Sequence, residues 1–453
     1  MRCAAFFAKF LATVAPSDAG PTGFFKRAGS IRPERSTAMR FVIQSALCLL
    51  AALPLSCSDD KNPAAAGSGG SGSGSYTNNG AGVCEGSTRP ANDDFCHGTC
   101  MGDQACPKRP IDSCCVMVGE PGNSASSKYL KRTTDTTEYA DPNGGPPNLK
   151  CFDPDGYPKK PAASSKKVKL TGILRPFSNG GCEKYDLVNT EGSAWCAAGS
   201  NCPSATAHGG VKIEVYAVQR TGDPATDGSL GQLIGSTVEA SDSMKLIETE
   251  VKDSCVDKIR FDRQYEYPDV PMNTELLIKT YGAGWTPLYT YNIYVHEGDP
   301  DYDATAGTFT YKIRARAEDD FGTIPTAAIG KTITDGNGVI GGEVHDCDNV
   351  RLQFARVDVS QTRVGLEYFN DSEDDPLPEG SRREVGTGRT ALYSAFDIKG
   401  GGSAGTYTRV AGTGLVPDGD KDKLVSLGYF DVRVFPNSVT SVTLRGYRPF
   451  QVK

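Results

Sequence analysis

The sequence predicts an all-β protein: two tandem seven-strand antiparallel β-sandwiches that follow a small disulfide-rich module. Three observations carry this expectation. From Val168 onward, short segments alternate apolar and polar residues with period two and are rich in Val, Ile, Thr and Tyr, the pattern of half-buried strands. Turn residues bound them, drawn from 52 Gly and 28 Pro in a chain of 453 residues. No helical periodicity of comparable strength interrupts the segments, which favours antiparallel sandwiches over a parallel α/β sheet.

The elements follow in chain order. Residues 1–56 read as a leader and signal peptide. "FVIQSALCLLAALPL", Phe41 to Leu55, is preceded by Arg40 and is too short to cross a bilayer core comfortably, but it suits the apolar region of an export signal. Met39 stands immediately before that Arg and offers a self-sufficient start. Residues 57–83 read as an anchor and tether: Cys57, then a Gly/Ser tract, "GSGGSGSGS", that behaves as a flexible spacer.

Residues 84–151 form the disulfide-rich module. Setting Cys3, Cys48 and Cys57 aside leaves an even set: Cys84, Cys96, Cys100, Cys106, Cys114, Cys115, Cys151, Cys182, Cys196, Cys202, Cys255 and Cys347. Behind an export signal an even count argues for disulfides, and the stretch from Cys84 to Cys115 has too few large apolar residues to build a core without them. "CHGTC", with Cys96, His97 and Cys100, fits neither the paired Cys-x-x-Cys of zinc sites nor a haem attachment. Residues 152–167 read as a Lys-, Pro- and Ser-bearing linker.

The first β domain, 168–330, contains "VKLTGIL", "GVKIEVYAV", "TELLIKTYG", "YTYNIYVH" and "TFTYKIRARA". The second, 331–453, contains "GVIGGEVHDC", "VRLQFARVDV", "TRVGLEYF", "RTALYSAFDI", "GTYTRVAGTG", "KLVSLGYFDVRVF" and "SVTSVTLRG". They read as two copies of one unit. Tyr265, Asp269 and Val270 in "YEYPDVP" match Tyr393, Asp397 and Ile398 in "YSAFDIK", and Gly172 matches Gly342, each followed by a cysteine-bearing loop.

Two resemblances follow from these residues. "LPLSC" resembles the lipobox of bacterial lipoproteins, with small Ser56 before Cys57, although Pro54 stands where Leu is usual. The resemblance implies a lipidated Cys57, a membrane partner through that N-terminal lipid, and a place at the cell envelope or outer-membrane surface; without acylation the protein would be secreted. The Gly172/Gly342 strands and the "DVP" and "FDIK" segments resemble carboxypeptidase regulatory-like, or transthyretin-like, domains over roughly 168–450. That family implies sandwiches used for display, spacing or binding rather than catalysis.

Little in the sequence points to chemistry. The four histidines are scattered without ligand spacing, and the adjacent His345 and Cys347 of "VHDCD" read as a surface His beside a disulfide end rather than a nucleophile pair. "DPDYDATAG" (Asp299, Asp301, Asp303) and "PDGDKDK" (Asp418, Asp420, Asp422) offer oxygen donors for calcium but lack the EF-hand Gly and Glu, so no cofactor or metal is expected beyond that calcium option. Tyr281, Trp285, Tyr289 and Tyr291 are candidates for ligand stacking, or equally for one face of a core. The net charge of −7 and the lack of a basic stripe exclude nucleic acid as the expected partner. The expectation is a non-catalytic envelope lipoprotein acting in adhesion, display or binding of glycan or peptide; the competing class is a carboxylate-dependent hydrolase.

Overall fold

The computed structural model describes residues 98–99, 115–116, 129–152 without 136–137, 162, 164–177, 187, 210–251 without 222 and 224, and 258–445 without 373–375 and 420. All belong to one unit, Gly67–Lys453. Two short pieces, β1 (Gly98–Thr99) and β2 (Cys115–Val116), pair in parallel. β3 (Lys131–Arg132) follows. The first long series is β4 (Lys167–Phe177), β5 (Lys212–Val218), β6 (Leu230–Glu239), β7 (Leu246–Val251), β8 (Lys258–Pro271), β9 (Glu275–Gly282), β10 (Trp285–Tyr294), β11 (Tyr302–Asp303), β12 (Thr308–Thr310) and β13 (Ile313–Ala317). One α-helix, α1 (Glu318–Ile329), separates it from the second series: β14 (Asn337–His345), β15 (Leu352–Gln353), β16 (Arg356–Val359), β17 (Gly365–Tyr368), β18 (Leu392–Lys399), β19 (Thr406–Asp418), β20 (Lys421–Val434), β21 (Val439–Val442) and β22 (Leu444–Arg445).

The two series repeat one pairing scheme. In the first, β4 pairs antiparallel with β8, β8 with β7, and β4 on its other side runs parallel to β12 and β13; β5 pairs with β9, and β9 with β10. In the second, β14 takes the place of β4, with β18 and β17 on one side and parallel β21 and β22 on the other, while β16, β19 and β20 pair in the order of β5, β9 and β10. The expectation of purely antiparallel sheets therefore needs correcting: the first and last strands of each series run parallel. They are far apart in sequence, and the intervening strands provide the crossover that a parallel pair requires.

The matched motif residues explain the repeat. Gly172 pairs with Tyr265 and Gly342 with Tyr393. The Tyr265 hydroxyl donates to the carbonyl of Tyr311 at 2.7 Å, where the chain passes from β12 to β13; the Tyr393 hydroxyl donates to the carbonyl of Val442 at 2.7 Å, where β21 passes to β22. A Cβ on Gly172 or Gly342 would lie 2.3 Å or 1.8 Å from those same carbonyl oxygens. Glycine is thus required for the final strand to bend against the first. Asp269 and Asp397 both have φ 61°, marking an equivalent bulge in β8 and β18.

The hydrogen-bonded sheet does not stop at residue 330. β10 pairs in parallel with β21, from Leu288↔Val439 to Tyr291↔Val442, and this joins the series edge to edge. One core lies within the first series around Leu174, Ile213, Tyr265, Trp285 and Phe309. A second holds Ile340, Tyr393, Val410, Leu427 and Val432 of the second series together with Leu277, Tyr289 and Tyr291 of the first and Leu130 and Phe152 upstream. Buried Arg220 reinforces the joint, bonding Glu275 and Asp227 and lying 4.9 Å over the Phe430 ring; Arg433 donates to the Asp227 carbonyl at 3.0 Å.

α1 packs Ile324 and Ala328 against Leu288, Val339, Phe396 and Val439. Gly322 and Pro325 inside it break the helical period, which is why the sequence pattern passes over it. It ends at Gly330, φ 73°, whose N–H bonds the Thr326 carbonyl. Among the described residues, no helix is long and apolar enough to cross a membrane.

Candidate binding surface

The four proposed stacking residues do not form one exposed platform. Trp285, Tyr289 and Tyr291 have odd numbers and would share a face in a regular strand. β10 has register shifts between Trp285 and Leu288 and again between Thr290 and Ile293. Trp285 and Ile293 accordingly enter the first core, whereas Tyr289 and Tyr291 enter the second. Tyr289 stacks on Phe435 with centroids 4.1 Å apart, and the Tyr291 hydroxyl donates to the Gly228 carbonyl at 2.8 Å. Asn292, φ 60°, lies in the second irregularity and donates from Nδ2 to the Thr443 carbonyl at 2.7 Å.

Tyr281 has a different role. It is half-buried on β9 and meets a group that the sequence reading did not single out: Glu214 and Tyr216 on β5, Thr237 on β6 and Lys279 on β9. Register explains the assembly, because Glu214 pairs directly with Lys279 and Lys212 with Tyr281. Glu214 Oε1 accepts from the Tyr281 hydroxyl at 2.7 Å and from Thr237 Oγ1 at 3.1 Å, while Oε2 accepts from the Tyr216 hydroxyl at 2.6 Å. Lys279 Nζ lies 3.6 Å from Glu214 Oε2, 4.2 Å from the Tyr281 ring centroid and 5.6 Å from that of Tyr289.

The electrostatics follow from this packing. Burial of Glu214 works against its charge, but the phenol hydrogen bonds and the Lys279 ammonium outweigh it and hold the carboxyl below its usual range. Burial and the neighbouring Glu214 charge push the Tyr281 phenol up to about 12. At neutral pH the shelf is a carboxylate, an ammonium and two neutral phenols. Such a set has flat ring faces and hydroxyl, ammonium and carboxylate groups for hydrogen bonding. β5 and β9 are separated by some 60 residues of chain, so only their alternation pattern was visible in sequence, not their pairing.

No protein-family model matches the chain, and no curated protein matches it.

The "VHDCDNVR" segment is a polar clasp rather than a surface loop. His345 is 2% exposed, correcting the expectation of a surface histidine. Its Nε2 lies 2.8 Å from Glu343 Oε2 and its Nδ1 2.8 Å from Asn349 Oδ1; Arg351 grips Glu343 through both carboxylate oxygens, and Arg445 bonds Asn349. Cys347 is disulfide-bonded to Cys151, so it has no free thiol to act as a nucleophile. Around that bond Arg132 of β3 binds Asp346, Asp141 and Asp348, and β3 pairs with β15. Together these contacts tie residues 129–152 to the second series.

The first acidic loop is used locally. Asp299 Oδ1 accepts from the Asp301 amide at 3.1 Å, and Asp303 Oδ1 accepts from the amides of Thr305 and Ala306. Among the described residues, no three His, Cys, Asp or Glu side chains are grouped as metal ligands. Asp420 and the Asp422 side chain lie outside the described residues, as do Cys57, Cys84, Cys96, Cys100, Cys106, Cys114, Cys182, Cys196, Cys202 and Cys255. Cys115 is described only as part of β2.

Proposed function

We propose that this chain is a non-catalytic envelope lipoprotein, held at the membrane through Cys57 and a Gly/Ser tether, whose two transthyretin-like sandwiches bind a saccharide at the Glu214 shelf. The repeated strand pairing and its Gly–Tyr–Asp signature support the two sandwiches. The observation that carries the binding role is the half-buried cluster of Tyr216, Tyr281 and Lys279 around an ionised Glu214. Aromatic faces pack on sugar C–H surfaces while the ammonium and carboxylate bond hydroxyls, which makes a glycan the fitting ligand. A glycan array probed with the full chain should give a defined set of ligands, and Tyr281→Ala and Lys279→Ala should each weaken them by roughly tenfold or more, the loss of one good contact. Array signals unchanged in both variants, or no signal with the parent chain, would refute the shelf. Mass spectrometry of the mature N-terminus should find a diacylglyceryl adduct on Cys57; an unmodified thiol there would refute the anchor.

A further inference from the structure

A second surface, on the outer face of the other sheet of the first series, has a different character. Along β13, Ile313, Ala315 and Ala317 point into the core, which leaves Arg314 and Arg316 on the outside. Register aligns neighbours beside them on the same face. Arg316 pairs with Phe177 of β4 on one side and Thr286 of β10 on the other, and Arg314 pairs with Arg175. Both guanidinium groups lie near the Phe177 ring, 5.8 Å from its centroid for Arg314 and 5.1 Å for Arg316.

The neighbouring cations on this face are already neutralised. Arg175 forms a two-pronged pair with Asp262, and Lys312 bonds Glu138. Arg314 has only a 4.0 Å approach to Glu138 Oε2, and its side chain is 34% exposed. Arg316 Nε and Thr286 Oγ1 are buried side-chain polar atoms without a hydrogen-bond partner among the described residues. Burial pulls the Arg316 guanidinium below its ordinary value, with the Asp320 charge of α1 opposing that effect. A partly desolvated guanidinium that lacks hydrogen bonds carries an unmet demand for acceptors.

The geometry points to an acidic-saccharide site here: the Phe177 ring stacks on the apolar face of a uronate sugar whose carboxylate bridges the guanidinium groups of Arg314 and Arg316, with Thr286 near the same row. Guanidinium forks match planar carboxylates, and an aromatic ring beside them supplies the flat partner that a sugar ring needs. The site shares no residue with the Glu214 shelf, and neither proposal depends on the other. It also runs against the acidic balance of the whole chain, so the positive face is a local feature.

Isothermal titration of the full chain with oligogalacturonate is the test, alongside a neutral maltooligosaccharide and a heparin oligosaccharide of equal length. The uronate chain should bind, with affinity falling as salt rises. The double variant Arg314→Gln/Arg316→Gln should lose about tenfold or more, the worth of one charge-assisted hydrogen bond. The single variant Arg314→Gln, at a partly exposed position, should lose less while keeping the parent melting temperature. Lys166→Gln, which removes a charge elsewhere on the surface, should leave binding unchanged. The proposal is overturned if oligogalacturonate does not bind, if the neutral or heparin chain binds more tightly, or if the folded Arg314→Gln and double variants bind like the parent.

Discussion

Asp397→Asn should destabilise the protein by about 2 kcal/mol at neutral pH, and the effect should vanish in acid. Asp397 is buried in β18 at φ 61°. Its Oδ1 accepts from the Thr334 amide at 2.9 Å and from Asn337 Nδ2 at 2.8 Å, and its Oδ2 accepts from Thr334 Oγ1 at 3.0 Å and from Lys331 Nζ. Lys331 and Thr334 lie on the connection from α1 to β14 and Asn337 opens β14, so this carboxylate ties β18 to the start of the second series. Burial alone would raise its pKa, but the donors outweigh it and bring the carboxyl from 3.8 down to about 2. Each pKa unit is worth about 1.36 kcal/mol, so a depression of nearly two units corresponds to a little over 2 kcal/mol. Because the folded value is the lower one, this stability is fully present above pH 3.8 and is lost as pH falls through about 2. Asparagine tolerates the left-handed backbone but turns one acceptor oxygen into a donor facing donors. Urea denaturation of parent and variant between pH 2 and pH 7 provides the assay. Asp269→Asn is the matched control, with the same φ of 61° but an exposed side chain, and should change stability by under about 0.5 kcal/mol. A loss at Asp397 no larger than at Asp269, or one that persists undiminished at pH 2, would refute the reasoning.

The remaining predictions test the frame. Gly342→Ala places a Cβ 1.8 Å from the Val442 carbonyl oxygen, so it should cost more than about 3 kcal/mol and give little folded protein; a melting temperature within a few degrees of the parent would contradict the close approach. Replacing Cys151 and Cys347 by Ser opens a link between residues 196 apart and should cost about 3–5 kcal/mol, measured by urea denaturation, while non-reducing peptide mapping of the parent should recover the pair as one cross-linked species. Trp285→Ala should cost about 3–5 kcal/mol, since the ring is buried in the first core; a stable variant with weakened glycan binding would instead place the ring in a ligand site.

Alternation located most of the long strands, because a half-buried strand must present an apolar side chain at every second position. The matched Gly172/Gly342, Tyr265/Tyr393 and Asp269/Asp397 residues also occupy matched places, because each meets a local demand of backbone: a close approach, a hydroxyl for a bent strand, a left-handed bulge. α1 escaped notice because its Gly and Pro suppress the periodic signal, even though tertiary packing supports the helix. Alternation leaves open whether Trp285, Tyr289 and Tyr291 share one face, because bulges in β10 change which side chains meet which core, and a count along the chain does not register an inserted residue.

By itself the sequence determined the β class and the turn chemistry at Gly172/Gly342 and Asp269/Asp397, which depend on residues near one another in the chain. Tertiary structure alone decided that β10 would pair with β21, that Cys151 would join Cys347, and that Glu214 would meet Lys279 and Tyr281. It also decided that Arg314 and Arg316 would gather at the Phe177 ring. Those contacts close loops of tens to hundreds of residues. Their partners are selected by the register and burial of whole sheets, and no local pattern specifies them.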